Sequence, residues 1–238
     1  MKKISVISFM VLIAIAGLLF IFGRSIWYPY YVNVVGQRSV LDVIEKYGVR
    51  AETSLAKEFD TAGMAYPPES VSFIAIKDTN ALEVWAHIGE KSKLIKTYPI
   101  KAASGVLGPK LIEGDRQVPE GIYKILHFNP NSSYHLSMKL DYPNSFDLKH
   151  AKKEGRNEPG TNIFIHGKAV SIGCLAMGDP AIEELFTLVH RVGKANVEVI
   201  ITPVDPSENE LVKPIGYGDW VDELYQNITV KINEIRKT

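Results

Sequence analysis

The stretch that decides the fold is Asn162-Ile163-Phe164-Ile165-His166-Gly167, followed after three residues by Ser171-Ile172-Gly173-Cys174-Leu175-Ala176-Met177. Its apolar start, 162–165, predicts a buried strand that ends at His166. Downstream, Asp179-Pro180 and the apolar residues at 182, 185, 186 and 189 predict a helix, with Asp179 as N-cap and Pro180 as the first helical residue. A strand, a His-Gly turn, a Gly-Cys turn and a helix together predict an active-site corner.

Cys174 is the only cysteine of the 238 residues. A free cysteine is often just a small buried apolar residue, and that alternative stays open. However, a thiol becomes a strong nucleophile beside an imidazole, and His166 is the nearest histidine in sequence. Gly173 lets the backbone approach closely, so the amides around Ile172, Gly173 and Cys174 could face a developing oxyanion. Ser171 could form a hydrogen bond within the turn.

Composition and spacing argue against other chemistry. Lysine plus arginine and aspartate plus glutamate each number 27, so no basic excess indicates nucleic-acid binding. No two histidines have metal-ligand spacing, and no P-loop or dinucleotide fingerprint is present. The sequence therefore predicts an enzyme with neither a metal nor a cofactor.

The N-terminus predicts export from the cytoplasm. Lys2 and Lys3 precede the uncharged residues 4–23, which are long enough to span a bilayer as a helix. We expect an uncleaved membrane anchor; a signal peptide cleaved near Ala14–Gly17 is the alternative and would give a secreted protein. Either reading places the remaining chain outside the cytoplasm.

The rest of the chain predicts a mainly β domain with α additions. An antiparallel meander is expected over 71–76, 82–86 and 94–100, and further strands over 122–128, 134–140 and 197–202. Helical spacing covers 38–47, 53–62 and 220–235, whereas 149–160 is expected to be a loop that covers the site from one side. The predicted organisation is an anchor or signal sequence (1–25), a linker and helical segment (26–70), a catalytic domain (71–203) and a C-terminal helical extension (204–238).

These motifs resemble the active-site signature of L,D-transpeptidases, the YkuD-type domain of cell-wall enzymes. The signature residues are His166-Gly167 and Ser171-x-Gly173-Cys174, and the stretch from Gly114 to Tyr123 resembles a second family motif. Gly108-Pro109-Lys110 and Tyr134–Ser137 resemble a periplasmic branch of Gram-negative bacteria that includes hydrolases releasing lipoprotein from peptidoglycan. The resemblance implies a partly barrel-shaped β-sheet with a helix after the catalytic cysteine.

Two departures from the family pattern concern substrate recognition. Most members have histidine where this chain has Ile172, and arginine where it has Ala176. The nucleophile and the first histidine remain, so the resemblance implies thiol catalysis, with the Gly167 carbonyl orienting the imidazole. It leaves open whether an amine or water accepts the acyl group.

The resemblance implies that the substrates are peptidoglycan stem peptides, cleaved through a Cys174 thioester at the L-centre of diaminopimelate. Amine attack would cross-link or remodel the wall, and water attack would detach a wall-linked lipoprotein. Lys110, Tyr123 and His135 are candidate substrate contacts, although Lys110 is more typical of a solvated lysine and the 114–123 motif of a shape-determining turn.

Two other classes of function stay open. A sortase-like transpeptidase would need an arginine at the site, for which Arg156 and Arg191 are the local candidates. A wall-binding module that kept the fold without turnover is the second alternative.

Overall fold

The structure is a computed structural model that describes residues 2–237. Within these residues, eight strands form one mixed sheet in the order β3-β2-β1-β8-β4-β5-β6-β7, curled into a half-barrel. The strands are β1 (Ser70–Ile76), β2 (Ala81–Ile88), β3 (Lys91–Pro99), β4 (Gly121–Asn129), β5 (Ser137–Leu140), β6 (Phe164–His166), β7 (Leu175–Ala176) and β8 (Val197–Thr202). The helices are α1 (Lys2–Phe22), α2 (Arg24–Val35), α3 (Val40–Thr61), α4 (Ser145–Lys153), α5 (Asp179–Val192) and α6 (Trp220–Arg236). The predicted β-rich fold with helical additions is confirmed.

The predicted meander is present as antiparallel β1–β2 and β2–β3 pairs. β1 also pairs in parallel with β8, which places it inside the sheet, and its residues from Val71 to Ile76 are all buried. Both of its faces therefore need a cover, which explains why this strand is mostly apolar on both faces rather than alternating.

Helices cover both faces of the sheet. Phe73 of β1 faces the larger core, which includes Leu55 of α3 and Phe186 of α5. Its neighbour Ile74 faces the opposite way, into a second core completed by Ile228 and other residues of α6. Because successive strand residues point to opposite faces, one strand serves both cores. Thus parts of the segments flanking 71–203 pack on the sheet, and the domain boundaries stay a prediction.

Three local predictions were wrong. Residues 145–153 form helix α4 where a loop was expected from 149, because Asn144 and Asp147 form a reciprocal capping box at its start. Residues 40–61 form one continuous helix instead of two, begun by a similar Ser39–Asp42 box. The N-cap of α5 is Gly178 rather than Asp179, whose carboxylate instead accepts a hydrogen bond from the Lys168 amide at 2.9 Å.

The N-terminal helices α1 and α2 meet at Gly23. Within residues 2–237, no single helix meets the length and hydropathy expected of a membrane span, whereas Val6–Phe20 and Arg24–Val35 meet them as a pair bent by 77°. The membrane anchor therefore stays a prediction.

Candidate active site

Strand pairing brings His166 and Cys174 to one place. β6 and β7 run in parallel, with His166 opposite Ala176, so Cys174, just before β7, lies level with Phe164 at the start of β6. The Met177 amide donates to the His166 carbonyl at 2.7 Å, which fixes the offset between the two segments. The nucleophile candidate and the histidine are thus held by backbone hydrogen bonds.

The His166 imidazole is held in one tautomer. Its Nδ1 lies 2.6 Å from the Gly167 carbonyl oxygen, which can only accept, so Nδ1 carries the proton and Nε2 keeps its lone pair. The ring is buried and lies 4.8 Å from the Tyr134 ring, centroid to centroid. Burial lowers the pKa of His166 from its ordinary 6.5, and the Gly167 bond partly opposes that shift. The imidazole is therefore a neutral base near pH 7.

The Cys174 thiol is also neutral at rest. Its Sγ lies 3.7 Å from the Asn162 carbonyl oxygen, to which the thiol donates. Burial raises the pKa of Cys174, while a backbone hydrogen bond at Phe164 and the positive charge of Lys110 act in the opposite direction. Among the described residues no hydrogen bond joins Sγ to His166. The two groups thus form a neutral pair rather than a preformed thiolate–imidazolium pair.

Two of the three amides expected to face an oxyanion, those of Gly173 and Cys174, have partners within the protein. The Gly173 N–H donates to Ser104 Oγ at 2.6 Å, and Ser104 Oγ donates to the Arg116 carbonyl at 2.7 Å. The Cys174 N–H donates to Ser171 Oγ at 2.9 Å, as expected for a hydrogen bond within the turn. Serine hydroxyls therefore occupy both amides.

A cavity of about 510 Å³ opens beside the pair. His166, Ser171 and Cys174 line it. The other lining residues come from α2, the end of β4, the loop between β4 and β5, the start of β5, strand β6 and the cysteine loop: Arg24, Ser25, Asn129, Ser132, Ser133, Tyr134, Ser137, Phe164, Val170 and Ile172. Ile172 is 73% exposed, so it forms an apolar lip rather than part of the core. The predicted site residues His166, Ser171, Ile172 and Cys174 therefore share one cavity.

The other predicted site residues lie outside the set that lines this cavity. Lys110 is buried, paired with Asp115, and donates to the Ile112 carbonyl at 2.8 Å. Tyr123 is 1% exposed and donates to the Glu120 carbonyl at 3.0 Å. His135 Nε2 lies 2.8 Å from Glu183 Oε1, which connects the loop before β5 to α5. Their roles as substrate contacts stay predictions.

The arginines considered for a sortase-like site bond elsewhere. Arg156 pairs with Glu154 and donates to the Leu111 carbonyl at 2.8 Å. Arg191 pairs with Glu52 of α3. Neither side chain is among those that line the cavity.

Sequence reasoning missed four residues of the site. Ser104 holds Gly173 across 69 positions, Tyr134 contacts His166, and the Asn162 carbonyl accepts from the thiol. Arg24 reaches the cavity from α2 and donates to the Ser133 carbonyl across 109 positions. Such partners carry no local spacing signal, so only the fold reveals them.

Residues 74–205 match the model of the YkuD family, described as the L,D-transpeptidase catalytic domain. The YafK proteins of Escherichia coli K12 and O157:H7 are each 33% identical to this chain over 156 residues, which is 63% of this chain. The matched region spans 60% of their length, so less than two thirds of these relatives is represented.

Solved structures with a similar fold have lower identity. The helical cell shape determining protein Pgp2 of Campylobacter jejuni is 21% identical, with a TM-score of 0.48 over 65% of this chain and 56% of its own. Bd1075 of Bdellovibrio bacteriovorus is 19% identical, with a TM-score of 0.42 over 69% and 56%. Since the family match at 74–205 takes in more than half of the chain, the protein belongs to the YkuD family of L,D-transpeptidase catalytic domains.

Proposed function

We propose that the protein is a cysteine enzyme that transfers acyl groups of peptidoglycan stem peptides through a Cys174 thioester. The observation that carries the proposal is the 2.6 Å contact between His166 Nδ1 and the Gly167 carbonyl. It leaves Nε2 as the free base of an imidazole that shares a cavity with Cys174. Family membership supplies the reaction class, and the Cys174–His166 pair supplies the groups that such a reaction needs.

In the first half-reaction, His166 Nε2 takes the proton of the Cys174 thiol as Sγ attacks the carbonyl of the L-centre of diaminopimelate. Because both groups are neutral at rest, proton transfer accompanies the attack instead of preceding it. Collapse of the tetrahedral intermediate breaks the amide bond. His166 returns the proton to the leaving amine, D-alanine in a tetrapeptide stem, and a thioester remains on Sγ.

In the second half-reaction, His166 Nε2 removes a proton from the acceptor as the acceptor attacks the thioester. Collapse of this second intermediate breaks the C–S bond, and His166 returns the proton to Cys174 Sγ. An amine acceptor gives a new cross-link or an exchanged amino acid, and water gives hydrolysis. Transfer to an amine is the leading proposal. Hydrolysis that detaches a wall-linked lipoprotein is the alternative within the same mechanism.

The oxyanion requires donors that are occupied at rest. Gly173 and Cys174 are the proposed donors, and their amides are bonded to Ser104 and Ser171. A bound carbonyl oxygen that gains negative charge is a stronger acceptor than a serine hydroxyl. We therefore propose that the serines hold the cysteine loop in place until substrate displaces them.

We also propose that the enzyme works outside the cytoplasm, in the periplasm, where peptidoglycan is found. The lysines at the start and the apolar residues 4–23 support export, with anchoring in the inner membrane or cleavage as the two routes.

The test uses the full chain in detergent micelles, incubated separately with a disaccharide tetrapeptide and with a muropeptide that carries the lysine end of a lipoprotein. Mass spectrometry should find loss of D-alanine with a new dimer or exchanged amino acid. Release of the lysine peptide with water added would instead establish the hydrolase.

Variants separate catalysis from folding. Cys174→Ala and His166→Gln should abolish turnover, whereas His127→Gln, which changes an exposed histidine of β4, should retain it. Wild-type protein that binds these muropeptides without turnover or a mass adduct on Cys174 would contradict the proposal and favour a wall-binding module.

A further inference from the structure

Among the residues that the structure describes, the cavity beside Cys174 has one permanently charged lining residue, which comes from the N-terminal segment. Arg24 begins helix α2 and lines the cavity together with Ser25. The other lining residues are serines, an asparagine, apolar and aromatic side chains, and the neutral Cys174–His166 pair. Among the described residues the lining includes no aspartate or glutamate. The cavity therefore carries a net positive charge.

The guanidinium of Arg24 is positioned by the protein and is only partly engaged. Its Nε donates to the Ser133 carbonyl at 2.5 Å, and its Cζ lies 4.4 Å from the Tyr28 ring centroid. Tyr28 and Val32 are the buried residues of α2, so one face of this helix holds the arginine in place. Within residues 2–237 no carboxylate forms an ion pair with Arg24, so its terminal N–H groups remain available.

The substrate class has the complementary charge. Stem peptides carry free carboxylates on both sides of the amide bond proposed to break: one on the leaving D-alanine and one on the second centre of diaminopimelate. A guanidinium binds a carboxylate through two parallel hydrogen bonds, which fixes orientation as well as charge. Lys110 is a basic side chain whose charge acts on the Cys174 thiol, but it is buried and already paired with Asp115.

We propose that Arg24 is a substrate-binding residue that recognises a carboxylate adjacent to the scissile bond, so that the N-terminal segment completes the substrate site. The inference rests on the proposed action on stem peptides. It adds that residues 24–35 do more than connect the chain to a membrane: they set which peptides are accepted.

The test compares three tetrapeptide substrates with the full chain in detergent: one with free carboxylates, one ending in D-alaninamide, and one with amidated diaminopimelate. Wild type should have a higher kcat/KM for the free acid than for the amide that lacks the carboxylate bound by Arg24. Arg24→Gln should lower kcat/KM for the free acid by about 10- to 100-fold. It should leave kcat/KM for that same amide nearly unchanged. Arg24→Lys should keep part of the preference, since it keeps the charge but loses the two-pronged geometry.

Arg38→Gln is the matched control. Arg38 donates to the carbonyls of Pro130 and His135, on the same loop that Arg24 contacts, but it does not line the cavity. If Arg24 merely held this loop, both variants would lose activity equally on acids and amides. That result, or an unchanged acid preference in Arg24→Gln, would overturn the proposal.

Binding to a Cys174→Ala chain separates this proposal from the proposed function. Calorimetry should show tighter binding of the free acid than of the amide, and Arg24→Gln in the same background should remove the difference. Equal affinities would refute the role of Arg24 even if wild type turns over stem peptides. Conversely, an acid preference in binding without turnover by wild type would refute the enzymatic function alone.

Discussion

Replacing Gly167 by alanine tests whether its carbonyl orients the His166 imidazole. A methyl group at this position would lie 2.7 Å from the Tyr134 carbonyl oxygen and 2.8 Å from Asp179 Oδ1. Since real Cβ atoms essentially never approach closer than 3.0 Å, the backbone around Gly167 must shift by about half an ångström. That shift moves the carbonyl oxygen that now lies 2.6 Å from Nδ1.

The expected loss follows from two magnitudes. Overpacking of this kind costs about 1–3 kcal/mol of stability. A displacement of about 1 Å at a reacting group costs about 100-fold in rate, so we expect Gly167→Ala to lower kcat by about 10- to 100-fold. The KM for the stem peptide should change little, because Gly167 does not line the cavity.

The assay measures kcat with a tetrapeptide well below the melting temperature, with the folded fraction of each variant measured by circular dichroism. Gly48→Ala is the control: this helical glycine of α3 would place its methyl 3.1 Å from Ile44 Cγ2 and 4.0 Å from Ile44 Cβ, outside the set of residues that lines the cavity. It should keep full activity. Wild-type kcat and an unchanged pH profile in Gly167→Ala would refute the orienting role.

Three further outcomes are expected. Burial lowers the pKa of His166 below 6.5 and raises that of Cys174. Therefore kcat/KM should be level from about pH 7 to 8 and fall only as the imidazole becomes protonated at lower pH. A loss of rate already above pH 7 would contradict the neutral pair. Glu120→Gln should lower the free energy of unfolding in urea by about 3–5 kcal/mol because it leaves the buried Lys77 without its counter-charge, and adding Lys77→Met should recover part of the loss. Glu183→Gln should lower the free energy of unfolding by about 1–3 kcal/mol, since this buried carboxylate contacts an arginine of α3 and a histidine before β5. An unchanged melting temperature would show that these contacts do not hold α3 on the domain.

The sequence predicted the parts of the fold that have strong local patterns. The alternating residues of β2 and the apolar run of β1 predicted the meander, and the periodic face of α6 predicted the C-terminal helix. Helix α4 was missed because its residues are mostly polar, and its stability comes from a capping box and from packing of Phe146 and His150 near Trp220 of α6. Such a helix depends on a partner about 70 positions away, which no local pattern contains.

The site divides in the same way. His166, Ser171, Ile172 and Cys174 lie within nine positions and could be proposed from their spacing. By contrast, Ser104 bonds to the cysteine loop across 69 positions, and Arg24 reaches the cavity from helix α2. The short strand β7 also lacks a sequence signal of its own, since two residues form it through pairing with β6.

The neutral pair and the occupied amides describe one resting state. A thiol whose pKa is raised contains little thiolate, and thiolate is the form that oxidants attack. For a lone cysteine proposed to work in an oxidising compartment, this resting state limits damage between turnovers. Attack on a bound carbonyl then requires two events together. His166 accepts the proton of the Cys174 thiol, and the substrate's carbonyl oxygen replaces Ser104 or Ser171 as the acceptor for the Gly173 or Cys174 amide. Reactivity would thus be produced by the substrate, which explains how one site could combine a protected thiol with acyl transfer.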